Sequence, residues 1–218
     1  GYNTSPSMTT PVEVSGLDQV VQIAAGDNHN CAVRASGRVY CWGDDIAGQL
    51  GDGEPKVPKF SPVEVKGIST AIGVAAGGTH SCALLANGSV TCWGDGSLGQ
   101  MGLTWPTSAT SEPLVLVKNV SNAVAITAGQ RFTCARLASG EVRCWGDNSV
   151  YQLGNSNTGD YGPSPPTGLS SVRRLGLGWT HSCAQTEDGK VYCWGTSNGL
   201  GDVSWYDRQV PTLVPNLP

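Results

Sequence analysis

Apolar residues in this chain fall in short bursts, each ended by glycine, proline or asparagine, and no stretch keeps the spacing of an amphipathic helix. The bursts repeat in order. First comes a run closing on small residues: VVQIAAG (20–26), AIGVAAG (71–77), AVAITAG (123–129) and VRRLGLG (172–178). Two short segments follow, each carrying a cysteine and joined through a glycine, as in HNCAVRASGRVYCWG (29–43). A Gly-rich polar loop is next: WGDDIAGQLGDG, WGDGSLGQMG, WGDNSVYQLG and a shortened WGTSNGLGD. Each period ends in a Pro-led apolar segment, SPVEVKG (61–67), EPLVLVK (112–118), SPPTGLS (164–170) and QVPTLV (209–214).

This pattern predicts four short strands per period and an all-β fold, a β-propeller of four four-stranded blades that is either complete or a segment of a larger propeller. The chain reads as a single domain, 1–218, with repeats at approximately 17–67, 68–118, 119–168 and 169–214. A fifth copy of the Pro-led segment, TTPVEVSG, predicts an extra N-terminal strand at 9–16. Either a Pro-led strand closes the ring by completing the last blade, or the chain is a piece of a longer array.

The cysteine segments fix their own register. Gly37, Gly88, Gly140 and Gly189 each hold the third place of a three-residue loop, where a hairpin needs a left-handed residue. With 35–37 as the loop, Arg34 faces Arg38, and counting back places Cys31 opposite Cys41. The same count pairs Cys82 with Cys92, Cys134 with Cys144 and Cys183 with Cys193. Opposed residues lie within disulfide reach, so four hairpin disulfides are expected, with free buried thiols the alternative. A zinc site needs four converging ligands, and each hairpin offers two cysteines and at most one histidine. His29, His80 and His181 share one phase, with Phe132 in the third copy, which marks them as structural.

The ordered marks of the first copy resemble the repeat of the regulator of chromosome condensation family: an apolar strand into Ala-Gly, the histidine, G-x-V-x-C-W-G, then G-Q-L-G and Pro-Val. Four in-phase copies cover nearly the whole chain. The resemblance implies a β-propeller, usually of seven blades. The paired cysteines look like a variant seen in secreted bacterial members. The nuclear member's nucleotide-exchange activity and chromatin binding are not carried over.

Composition narrows the function. The formal charge is −4, and the longest basic run is Arg173-Arg174, so no nucleic-acid footprint is present. No apolar run is long enough to span a membrane. Eight cysteines in four equal pairs point to an oxidising compartment, extracellular or cell-surface. Glycosylation triplets stand at Asn3, Asn87 and Asn119.

No catalytic constellation falls outside the repeat phase, so no enzyme activity and no cofactor are expected. Asp44, Asp95 and Asp147 recur after Trp-Gly and read as turn caps, with a calcium site using Asp45 or Asp52 the sharper alternative. Trp42, Trp93, Trp145 and Trp194 are in phase and belong to packing between blades. Trp105, Trp179, Trp205, Tyr206 and Tyr161 are out of phase, as a recognition surface would be. The expected role is an extracellular protein-interaction or adhesion module. A glycan-binding propeller, a structural segment of a larger surface protein or fibre, and self-association through an edge strand are the alternatives.

Overall fold

The computed structural model describes residues 10–54, 56–103, 114–159, 161–197, 200 and 206–215. The first blade consists of β1 (Val20–Ala25), β2 (His29–Arg34), β3 (Val39–Gly43) and β4 (Lys59–Glu64). The second has β5 (Ala71–Ala76), β6 (His80–Leu85), β7 (Val90–Gly94) and β8 (Val115–Leu116). The third has β9 (Ala123–Ala128), β10 (Phe132–Leu137) and β11 (Val142–Gly146). The fourth has β12 (Val172–Leu177), β13 (His181–Thr186), β14 (Val191–Gly195) and β15 (Arg208–Leu213). Within each blade the strands are antiparallel and lie side by side in chain order. No helix among the described residues is long and apolar enough to cross a membrane.

Two Pro-led segments depart from the expected strand. In the third blade the pairing shrinks to a single bridge between Ser164 and Cys144. Pro165 and Pro166 follow at once, and without N–H groups they cannot extend a ladder. At the N-terminus, residues 10–16 form no strand. In the other blades this segment pairs with the second arm of the preceding hairpin, and residues 10–16 have no such arm beside them among the described residues. Alternating valines supply strand propensity, but a strand needs a neighbour.

The hairpins follow the counted register. Cys31 lies opposite Cys41, and the same pairing recurs in the other three blades. Each pair is joined as a disulfide with Cα atoms 4.0–4.1 Å apart. That separation belongs to the narrow, non-hydrogen-bonded sites of an antiparallel ladder. Gly37 turns the first hairpin at φ +80°, and a Cβ there would stand 2.5 Å from the Ser69 carbonyl oxygen. This glycine is needed twice, for its conformation and for the closeness of the segment leading into the second blade.

Blades pack on one another in sequence, β1 and β2 on β5, β5 and β6 on β9, and β9 and β10 on β12. The core lies largely between them. Leu50 of the first loop shares a buried cluster with Trp93 of the second blade, and Leu153 of the third loop shares one with Trp194 of the fourth. Gln22 adds a polar tie, because its amide donates to the Val74 carbonyl at 3.0 Å and accepts from the Val74 N–H at 2.5 Å. It serves as a peptide unit where β1 and β5 have no shared ladder.

Candidate functional site

The inner ends of the four blades meet in the loops β1–β2, β5–β6, β9–β10 and β12–β13. Each loop begins at a glycine, Gly26, Gly77, Gly129 or Gly178, against which a ring is packed. A Cβ on Gly77 would stand 2.3 Å from His80 Cε1, and one on Gly129 would stand 2.1 Å from Phe132 Cε1. Only glycine leaves room for that ring, which is why Ala-Gly and the histidine or phenylalanine recur together. The loops are then joined across blades through backbone: Asp27 N–H donates to Gly77, Gly78 N–H to Gln130 and Gln130 N–H to Trp179, at 3.2, 2.7 and 3.2 Å.

The rings continue inward. His29 Nε2 is 2.7 Å from Ser81 Oγ, and His80 Nε2 is 2.8 Å from Thr133 Oγ1. Ser81 donates its own proton to the Gln49 carbonyl at 3.0 Å, so His29 is the donor in its pair and carries its proton on Nε2. The remaining Nδ1 atoms of His29 and His80 are buried without a hydrogen-bond partner among the described residues. A second proton would place an unpaired charge in the interior. Burial accordingly lowers the His29 pKa to about 4 and the His80 pKa to about 3. These groups hold blades together and do not face solvent.

What the repeat leaves free is the residue after each glycine: Asp27, Gly78, Gln130 and Trp179. An axial depression of about 260 Å3 is lined by Asp27, Gln130 and Trp179 together with the loop glycines. Beside it a second depression of about 330 Å3 is lined by Asp27, Thr79, Asp95, Ser97, Gln130 and Arg131. Gly78 opens the space between them, because a Cβ there would stand 3.1 Å from Asp27 Oδ2 and 2.9 Å from the Gln130 carbonyl. Asp95 is held by the Ser97 N–H at 2.9 Å and the Thr79 hydroxyl at 3.3 Å. Trp179 is 64 % exposed at the rim. The result is two carboxylates, one guanidinium, an amide and an indole on a backbone fixed by inter-blade hydrogen bonds.

Of the aromatic candidates, Trp179 lines this depression. Trp105 and Trp205 lie outside the described residues. Tyr206 is 78 % exposed beside β15. Tyr161 is half-buried, its Cβ so close to Gly99 of the second blade's loop that a side chain there would stand 2.5 Å away. Its carbonyl accepts the Gly146 N–H at 3.3 Å. Tyr161 therefore ties the third loop to the second. Asp27, Gln130 and Arg131 were not singled out from the sequence as binding residues. They break phase in the same loops as Trp179, a signal that a search confined to aromatic residues passes over.

The acidic positions after Trp-Gly serve turns. Asp44, Asp95 and Asp147 accept the N–H groups of Ile46, Ser97 and Ser149. Asp45 and Asp52, the calcium alternative, accept from Leu50 and Glu54 at 2.9 and 3.0 Å. Burial raises the pKa of Asp45. Among the described residues no group of three or more His, Cys, Asp or Glu side chains is placed to hold a metal ion.

Comparison with known proteins places this geometry. Human HERC3, a probable E3 ubiquitin-protein ligase, is 35 % identical over 162 residues, 72 % of this chain and 15 % of the relative. The ultraviolet-B receptor UVR8 of Arabidopsis thaliana is 31 % identical over 193 residues, 83 % of this chain and 42 % of the receptor. Among solved structures, human WBSCR16 superposes with a TM-score of 0.79 at 25 % identity, covering 91 % of this chain and 53 % of that one. Yeast RCC1 (Prp20), solved with Kap60, gives a TM-score of 0.82 at 20 % identity, covering 95 % and 51 %. The chain thus spans less than half of these two sequence relatives and about half of the two solved chains. The family model described as the RCC1-like domain matches residues 1–218, and with four in-phase blades built on its repeat the chain belongs to the RCC1-like domain family.

Proposed function

We propose that this chain is a non-catalytic protein-interaction module that recognises its partner through the inner loop face around Trp179. The observation carrying this reading is the arc of loops whose backbones are hydrogen-bonded from blade to blade, while the residue presented by each loop differs. A scaffold fixed in this way gives an indole and two carboxylates little entropy to lose on binding, and exposed tryptophans concentrate binding energy at protein interfaces. The yeast relative was solved bound to a protein, Kap60, which makes a protein the first class of partner to test. Four disulfides and no free cysteine among the described residues support an oxidising setting, extracellular or at the cell surface, where the module would serve in adhesion.

A glycan partner is favoured by one detail, the exposed Trp179 beside the carboxylate of Asp27 and the amide of Gln130, a stacking plane with hydrogen-bonding groups next to it. Both readings are tested with the oxidised protein, applied to surface-protein extracts with cross-linking and to a glycan array, beside Trp179→Ala and Asp27→Asn. A protein captured by the parent and lost by both variants supports the main reading. Glycan hits that Trp179→Ala loses transfer the site to sugar. Partners retained by both variants place recognition elsewhere.

A further inference from the structure

Two of the loops that follow Trp-Gly are closed by the same pair of bonds on different chemistry. In the third blade's loop the Leu153 N–H donates to Asn148 Oδ1 at 2.9 Å, and the Asn157 N–H to Asn155 Oδ1 at 3.1 Å. In the first blade's loop the Leu50 N–H donates to Asp45 Oδ1 at 2.9 Å, and the Glu54 N–H to Asp52 Oδ1 at 3.0 Å. Asp45 therefore stands where Asn148 stands, and Asp52 where Asn155 stands. The amide nitrogen of Asn148 draws the third loop together. It donates to the Asn155 carbonyl at 3.1 Å, to Asn155 Oδ1 at 3.0 Å and to the Asn157 carbonyl at 3.0 Å. In the first loop that position falls to Asp45 Oδ2, an acceptor set among acceptors.

Only one of the two replacements is answered by a partner on a neighbouring strand. Asn155 Nδ2 donates to Ser164 Oγ at 2.9 Å, and its counterpart Asp52 Oδ2 has Lys59 Nζ of β4 at 3.8 Å. Asp45 is 1 % exposed, and among the described residues its Oδ2 receives no hydrogen bond and its carboxylate forms no ion pair. A buried charge facing lone pairs is costly. Burial is the largest influence on Asp45 and raises its pKa; the Leu50 N–H and Lys59 oppose the rise, while Asp52 and Asp44 add to it. The other charges around the loop are turned elsewhere, Lys66 to Glu54 at 3.1 Å and Lys56 against Gly48. The second blade meets the loop with uncharged groups, Trp93 and Ser81 on the Gln49 carbonyl.

We propose that Asp45 holds a proton in the folded chain where an ordinary aspartate has lost it, its hydroxyl donating to the oxygens of Asp52 and Glu54 as the Asn148 amide does in the third loop. A carboxylic acid has the shape of a carboxamide, so the first loop closes like the third while the proton stays. Removing the proton leaves a carboxylate against the same oxygens. This loop carries the Gln49 carbonyl that receives Trp93 and Ser81, so the proton couples the seam between the first two blades to pH. The sign follows from the raised pKa. The stabilisation is fully present below the unfolded value of roughly 3.9 and is lost as pH rises through the folded value. The inference does not depend on the loop-face reading above.

The test follows the Asp45 carboxyl carbon by nuclear magnetic resonance through a pH titration of the oxidised chain labelled at aspartate, the signal being assigned by its loss in Asp45→Asn. Thermal midpoints are measured beside it from acid to mildly alkaline pH, with and without calcium chloride. The carboxyl is expected to titrate well above the ordinary carboxylate range. Asp45→Asn should melt several degrees above the parent at mildly alkaline pH and lose that lead in acid. Asn148→Asp, the converse exchange, should bring the same alkaline loss to the third blade, which separates the proton from a general effect of substitution in the first loop. An Asp45 carboxyl that titrates at or below the ordinary value overturns the proposal, as does an Asp45→Asn midpoint lowered equally at every pH. Calcium that raises the parent's midpoint and leaves Asp45→Asn unmoved also overturns it, because the oxygens would then belong to a metal ion.

Discussion

Trp42 and Trp93 occupy the same place in the same Cys-Trp-Gly hairpin, and they meet different fates. Trp93 is 1 % exposed with its indole N–H on the Gln49 carbonyl, whereas Trp42 is half-buried beside an apolar depression. Nothing within either repeat distinguishes them. The difference is that Trp93 has a blade in front of it. A repeat encodes a sheet, and the stability of the array comes from the interfaces between sheets.

Removal of the indole should have the largest effect. Trp93→Ala and Trp145→Ala are expected to lose about 3–5 kcal/mol each by urea denaturation, through lost burial and an unpaired carbonyl. Trp42→Ala should cost less than half as much. Equal losses at the three positions would mean that the first blade's face is covered in solution.

Acid gives the next effect. His29 and His80 have folded pKa values of about 4 and about 3, below the ordinary value of roughly 6.5. The unfolded chain therefore takes up protons first as pH falls. Stability contributed by the neutral rings is fully present above pH ~6.5 and drains away down to the folded values, about 3 kcal/mol per histidine by pH 4. His80→Phe, a substitution the third copy already carries at Phe132, should flatten the stability–pH curve by one histidine's share. An unchanged curve would show that His80 does not titrate on unfolding.

Replacing Cys82 and Cys92 with alanine should cost about 2–3 kcal/mol from the opened loop together with a packing loss, since both are fully buried. The Cys183 and Cys193 pair, with Cys183 only half-buried, should lose little beyond the loop contribution. Thermal unfolding of the two double variants tests this. The smallest effect is also the control. Asp44→Ala, Asp95→Ala and Asp147→Ala each remove a turn cap worth about 1 kcal/mol. Asp44 and Asp147 each hold one turn N–H, so their costs should be similar. Asp95 also takes the Thr79 hydroxyl and the Gln100 amide and should cost somewhat more.

The turns, hairpins and pairings of the cysteines were legible because they depend on residues within about a dozen positions of one another. The position of a single glycine fixes a hairpin loop, and the loop fixes which cysteines face each other. Where strand propensity had to be completed by a partner, local reading fell short. Residues 10–16 carry the pattern of a strand and, among the described residues, have none beside them to pair with, and in the third blade two prolines reduce a strand to the bridge at Ser164. The candidate site was half legible. Trp179 stood out as an aromatic breaking the repeat, whereas Asp27, Gln130 and Arg131 matter only because three loops from different blades converge on one depression.

The sequence by itself determined the blade: its strands, its hairpin register, its disulfide and its capped turn, each closed by short-range geometry. Only the tertiary structure decided which tryptophan is buried, which histidine finds a hydroxyl and which loops share a pocket. Those contacts join residues one repeat apart, and a repeated sequence gives every copy the same half of an interface without saying whether the other half is there.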